Sequence, residues 1–228
     1  MAEVVIAAPL VKERDALIQA LRARGFACRV SEDGRLDSVR VPDLGAVIVA
    51  AGHGKAEFAV ATQHVVEREA PGALVVAGAA GALDPRLRPG DVVLATESVE
   101  HDYKTRFHGV GPPPRHPASD ALRREILSAQ PDRPFSLYQG PIAGGDEDIV
   151  DAARAAEVRG LTDALCVAWE GPAGARVAAF NRVPFAEVRT VTDAADGAAA
   201  ESYRVHLVDA VRNVGEVLLA WLSARAGR

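Results

Sequence analysis

The chain has 228 residues, enough to fill one large core. Its 49% hydrophobic and 25% charged residues are those of a globular protein. A net charge of −5, with Lys and Arg scattered singly, excludes a surface built to neutralise nucleic-acid phosphates, although one local Arg suffices for a small anion.

Strand-length apolar runs alternate with helical spacing from the first residues onward. Val4–Ala8 predicts a strand, and the Met-Ala-Glu before it lacks the basic segment of a secretory signal. Residues 13–24 predict a helix with Leu17, Ala20 and Leu21 on one face. Residues 26–30 and Ser38–Val41 read as short strands around an Glu32-Asp33-Gly34 turn. Residues 46–51 are apolar without alternation, as in a strand covered on both faces. Lys55–Glu69 predicts a helix with Phe58, Ala61, Val65 and Val66 inward, and residues 73–78 and 91–99 predict strands. The weakly polar stretch 70–83 contains Pro71 and is too short to span a bilayer, so a soluble cytoplasmic protein is expected.

Residues 103–119 hold Pro112-Pro113-Pro114 and Pro117, which exclude a helix or central strand and predict a lid or partner contact. Beyond them, helices are expected at Asp120–Ser128, 149–158 and 173–181, and strands at 136–143, 164–167 and 185–191. Leu207, Ala210, Val211, Val214, Val217, Leu218, Trp221 and Leu222 then keep helical spacing over four turns. This alternation predicts a single three-layer α/β domain, a central twisted mixed sheet flanked by helices. Cys28 and Cys166 lie far apart without a CxxC or Cys/His cluster, which points to neither a disulfide nor a zinc site. The histidines lack metal-ligand spacing and read as surface or cap residues, and Gly52-His53-Gly54 lacks the dinucleotide fingerprint.

Chemistry in such folds collects at strand ends. Taken alone, Asp193 or Asp196 is accounted for as a cap, and Glu170 as an acidic residue at a helix start. In order along the chain stand Glu13, Gly52-His53-Gly54-Lys55-Ala56, Gly78-Ala79-Ala80-Gly81-Ala82, Pro89-Gly90-Asp91-Val92, His101-Asp102, Gly145-Asp146, Trp169-Glu170 and Arg189-x-x-Thr192-Asp193-x-x-Asp196. From Val4 to Trp221 this series resembles the nucleoside phosphorylase/nucleosidase superfamily, nearest its methylthioadenosine/S-adenosylhomocysteine nucleosidase branch.

The resemblance implies a phosphorylase/hydrolase-like fold, a purine nucleoside as the small-molecule partner, no cofactor, and a homodimer. It assigns Asp193 as the acid that protonates the leaving purine at N7. Glu13 corresponds to the carboxylate that deprotonates water, with Arg189 nearby to orient it. Glu170 corresponds to the acceptor of the ribose hydroxyls, with Trp169 beside it; Asp148 and Ile149 meet the base edge, and Ala79 and Gly81 line the site. Both arginines that hold phosphate in bacterial phosphorylases of the superfamily are missing here, so hydrolysis is favoured; Lys12 and Arg189 keep a phosphorylase as the alternative, and a non-catalytic nucleoside binder is the second. Three positions depart from the nucleosidase pattern: Ala79 where Ser is usual, Trp169 for Met, and Asp148 for an aromatic residue that stacks on adenine. An acidic Asp148 either accepts a hydrogen bond from a ring N–H, as a 6-oxopurine such as hypoxanthine offers, or points to solvent while its backbone meets the base.

Overall fold

A computed structural model describes residues 2–31, 35–107, 109, 111–130 and 133–227. The expected turn at Glu32-Asp33-Gly34 and the loop residue His108 lie outside them.

The strands are β1 (Val4–Ala8), β2 (Arg29–Ser31), β3 (Ser38–Val41), β4 (Ala46–Ala50), β5 (Ala73–Ala82), β6 (Val92–Glu100), β7 (Arg115–Pro117), β8 (Leu137–Gly144), β9 (Cys166–Ala168) and β10 (Phe185–Asp193). The helices are α1 (Val11–Ala23), α2 (Lys55–Glu69), α3 (Asp120–Ser128), α4 (Ala152–Thr162), α5 (Gly171–Asn181) and α6 (Ala199–Arg225).

Successive side chains of a strand point to opposite faces, and here each face has its own helical cover. Val4, Ile6, Ile48 and Val75 pack with Leu17 and Leu21 of α1 and Val211, Val214 and Trp221 of α6. Their neighbours Val5, Val47, Val49 and Val76 pack with Phe58 and Val65 of α2 and Val177 of α5. This is the three-layer α/β arrangement expected from the apolar runs. Among the described residues, no helix is long and apolar enough to cross a membrane.

The sheet order is β10-β6-β8-β9-β5-β1-β4-β3-β2, and β10 also pairs with β5. Strands β5, β9, β8, β6 and β10 therefore close on one another, while β1, β4, β3 and β2 extend the sheet to one side. This closure is not visible in local periodicity, because it is made by long-range pairing. β7 lies within the proline-bearing stretch and pairs only with the outer part of β6, where Pro117 is tolerated.

Two boundaries differ in ways that matter for the site. The 149–158 helix begins instead at Ala152, because the Asp151 side chain accepts the Arg154 N–H at 2.9 Å and caps it there. Ile149 is thus left in an open segment before the helix. The strands expected at 73–78 and 185–191 run on to Ala82 and Asp193. The Gly78–Ala82 run is the end of β5: β10 pairs with it from Gly78 to Gly81 across one bulge, and β9 pairs with Gly81 and Ala82.

Candidate active site

One cavity of about 380 Å³ opens where the ends of β1, β5, β9 and β10 meet the start of α6 and the segment after β8. Its volume suits a small organic ligand. Glu13, Ala79, Gly81, Asp148, Ile149, Trp169, Glu170, Arg189 and Asp193, the residues singled out in the sequence, all border it.

Glu13 sits in the first turn of α1 and is buried. Its Oε2 accepts the Leu10 N–H at 2.9 Å, the reach-back bond that closes a helix start, and Oε1 accepts the Ala79 N–H of β5 at 2.7 Å. A Cβ at Gly78 would stand 2.6 Å from Glu13 Oε1 and 3.0 Å from Arg189 Nη1, so both side chains depend on glycine there. Burial pushes the Glu13 carboxyl up to about 7, against the pull of Arg189 and the two backbone N–H groups. Arg189 acts on Glu13 through charge. Its hydrogen bonds go elsewhere: Nε to Glu187 at 2.9 Å, Nη1 to the Ala79 carbonyl at 3.3 Å and Nη2 to Glu170 at 3.4 Å.

Asp193 is aimed into the cavity by a bulge. Val191 pairs with Ala80 and Asp193 with Gly81, so β10 carries one extra residue at that point. Its Oδ2 accepts the Thr192 hydroxyl at 2.7 Å and its Oδ1 the Ala195 N–H at 3.0 Å. Burial raises its pKa despite those bonds, helped by the charge of Asp196. Both aspartates also close a turn, Asp193 by accepting the Ala195 N–H and Asp196 by accepting the Ala198 N–H at 2.9 Å, while the start of α6 has no side-chain cap.

Glu170 precedes α5 and is buried. Its Oε1 accepts the Gly54 N–H at 3.3 Å and lies 3.5 Å from His53 Nδ1. The His53 ring stacks on Trp169 with centroids 4.1 Å apart. The histidines do not all sit at the surface or at caps: His53, though exposed, borders the cavity, and His101 is buried. Asp148 is exposed at the rim, while Ile149 beside it is buried.

Sequence reasoning passed over Tyr203 and His53. Tyr203 lies one helical turn before Leu207 and so continues the apolar face of α6 toward the cavity, a signal readable from spacing. The motifs Gly54-Lys55, His101-Asp102 and Gly145-Asp146 form a clamp beside the cavity. Lys55 Nζ donates to Asp102 at 2.6 Å and to Glu100 at 2.9 Å, the Lys55 N–H reaches Asp146 at 2.7 Å, and the Asp146 N–H reaches Asp102 at 2.9 Å. This network holds the start of the Gly145–Ile149 segment against α2.

Comparison with known proteins follows the same lines. Residues 6–223 match the family model of the phosphorylase superfamily. The chain is 32% identical to the 5'-methylthioadenosine/S-adenosylhomocysteine nucleosidase of Geobacillus thermodenitrificans, across 97% of this chain and 92% of that protein. It is 32% identical to the nucleosidase of the same description from Anoxybacillus flavithermus, across 81% of each. The solved structure of the Neisseria meningitidis nucleosidase with methylthio-immucillin-A superposes with a TM-score of 0.87 at 26% identity, covering 98% of this chain and 100% of that one. The futalosine hydrolase of Helicobacter pylori shares the fold, with a TM-score of 0.88 at 19% identity over 98% of each chain. The chain belongs to the phosphorylase superfamily.

Proposed function

We propose that this chain is a purine nucleosidase, hydrolysing the N-ribosidic bond to free base and the ribose moiety. The observation that carries this reading is the convergence on one cavity of three carboxylates in unlike surroundings: Glu13, Glu170 and Asp193. Departure of a purine builds positive charge on the sugar and negative charge on the base, so the catalyst must donate one proton and accept another. Asp193, whose burial favours the protonated form, donates to N7. Glu13, poised near neutrality, takes a proton from water as that water closes on the anomeric carbon. Glu170 accepts from the ribose 2′- and 3′-hydroxyls, and Trp169 and His53 wall that side. No cofactor enters this scheme.

Water suits the site better than phosphate. Among the described residues lining the cavity, Arg189 is the one Arg or Lys, and it is already held by Glu187 and Glu170. Lys12 is exposed and outside the lining. An anion entering beside buried Glu13 would meet repulsion with no free cation to offset it.

The substrates named for the relatives, 5'-methylthioadenosine and S-adenosylhomocysteine, are the first to test, with matched hypoxanthine nucleosides beside them. The free thiols of Cys28 and Cys166 accord with a reducing cytoplasm. A homodimer accords with Phe107, 98% exposed, and half-exposed Tyr103, apolar surface that a second copy would cover. A panel of purine nucleosides varied at the base and at C5′, read by ultraviolet absorbance and a reducing-sugar assay, tests the activity. Release from at least one nucleoside, slowed by about 10²- to 10⁴-fold in Asp193→Asn, is expected. No release from any of them would leave a nucleoside-binding protein instead.

A further inference from the structure

Glu187 lies in the middle of β10, fully buried and outside the cavity lining. A charged group in that position must be paired to be tolerated. Its Oε1 accepts Arg189 Nε at 2.9 Å, and its Oε2 accepts the hydroxyl of Ser98 on β6, which is itself fully buried. Space has been cleared for it as well: a Cβ at Gly171, the residue after Glu170, would collide with both Glu187 carboxylate oxygens.

The consequence lies in how one guanidinium is shared. Arg189 is buried among Glu187, Glu170 and Glu13. Its closest carboxylate contact, 2.9 Å to Glu187, faces away from the cavity, whereas Glu170 is 3.4 Å away. Without Glu187 the same cation would be divided between the two carboxylates that the reaction needs. We propose that Glu187 is a positioning residue of the reaction: it anchors Arg189 from behind and takes up its charge, leaving the oxygens of Glu13 and Glu170 for water and ribose. This inference rests on the nucleosidase reading above.

The groups that set the proton affinity of Glu13 are few. Arg189 and Glu170 face it, and Tyr203 of α6 and Asp193 share the cavity with it. Cys166 of β9 lies near Glu187 and Arg189, and His53 faces Glu170. Arg189 is the cation that lowers the Glu13 pKa. Removing the Glu187 charge strengthens that pull, so Glu13 must lose its proton at a lower pH and become a weaker base.

The test is the pH dependence of kcat/KM for base release by wild type, Glu187→Gln and Glu187→Asp. In Glu187→Gln the acidic limb is expected to move down by about one pH unit, a tenfold change in proton affinity, with a lower kcat and a raised KM. Glu187→Asp keeps the charge and is expected to restore the limb. A merely structural Glu187 would lower the melting temperature without moving the limb, and that result in a folded Glu187→Gln overturns the inference. Should Glu187→Gln not fold, Gly171→Ala displaces the carboxylate by collision; its limb is expected to move the same way, and an unmoved limb overturns the inference. A wild type that releases no base brings down the nucleosidase reading and this inference with it, whereas an active wild type with unmoved limbs removes this inference alone.

Discussion

Glu13 and Ala79, 66 positions apart in sequence, are joined by a hydrogen bond of 2.7 Å from the Ala79 N–H to Oε1. That bond ties the first turn of α1 to the end of β5 and fixes the carboxylate over the cavity floor. Glu13 is held by backbone, so Ala at position 79 still supplies the donor that positions it.

Glu13→Gln should lower kcat by about 10²- to 10⁴-fold, the usual worth of a general base. It should also remove a pH-dependent cost of burying the carboxyl. Burial raises the Glu13 pKa from 4.5 to about 7, so the native state keeps a proton that the unfolded chain releases. Stability therefore falls as pH rises from 4.5 to 7, by about 3 kcal/mol in all, and the penalty stays in full above 7. Gln carries no such charge penalty, but its NH2 cannot accept one of the two backbone N–H groups, of Leu10 and Ala79, that the Glu13 oxygens accept, so a pH-independent loss accompanies the substitution. Thermal melts should show the stability of the variant relative to wild type rising from pH 5 to pH 8.

Asp193 must carry a proton to donate one, and Glu13 must have lost its own. Activity should rise as Glu13, whose burial raises its pKa to about 7, ionises and fall as Asp193, whose burial raises its own pKa, loses its proton, so kcat/KM should pass through a maximum with pH. The two groups share a cavity, so the limbs of kcat/KM report the pair. Asp193→Asn should lower kcat by about 10²- to 10⁴-fold with little change in KM. Full activity in the variant would remove Asp193 from proton transfer.

In the proposed reaction Glu170 offers its oxygens to the sugar hydroxyls. Wild type should therefore discriminate against a 2′-deoxynucleoside, by about 10- to 100-fold in kcat/KM, and Glu170→Gln should lose most of that discrimination. Equal discrimination by both proteins would place the hydroxyls elsewhere.

Asp148 stands exposed at the rim beside buried Ile149. An anionic acceptor there favours a base edge that presents a ring N–H, as hypoxanthine does and adenine does not. Asp148→Ala should lower the ratio of hypoxanthine to adenine release from matched nucleosides about tenfold, near 1.4 kcal/mol. An unchanged ratio would assign the base edge to backbone groups alone.

The layered architecture was legible because Val4–Ala8 and its neighbours are uninterrupted apolar runs, and the face of α6 repeats from Leu207 to Leu222. The closure of β5, β9, β8, β6 and β10 was not, since pairing between distant strands leaves no local period. The acidic residues of the candidate site could be picked out through the resemblance that their order along the chain carries. The bulge that turns Asp193 inward could not, because it is a matter of register between β10 and β5. The clamp around Lys55 was equally hidden, for its members come from three separate segments. Glu187 was overlooked within an apolar strand, although a lone carboxylate two positions before a buried Arg is itself a signal of pairing.

The most direct measurement is the identity of the sugar product when a cleaved purine nucleoside is incubated with the enzyme in the presence and absence of inorganic phosphate. Free base and free ribose moiety, formed at the same rate with or without phosphate, are predicted. A ribose 1-phosphate product, or base release that requires phosphate, would contradict the proposal that Glu13 activates water.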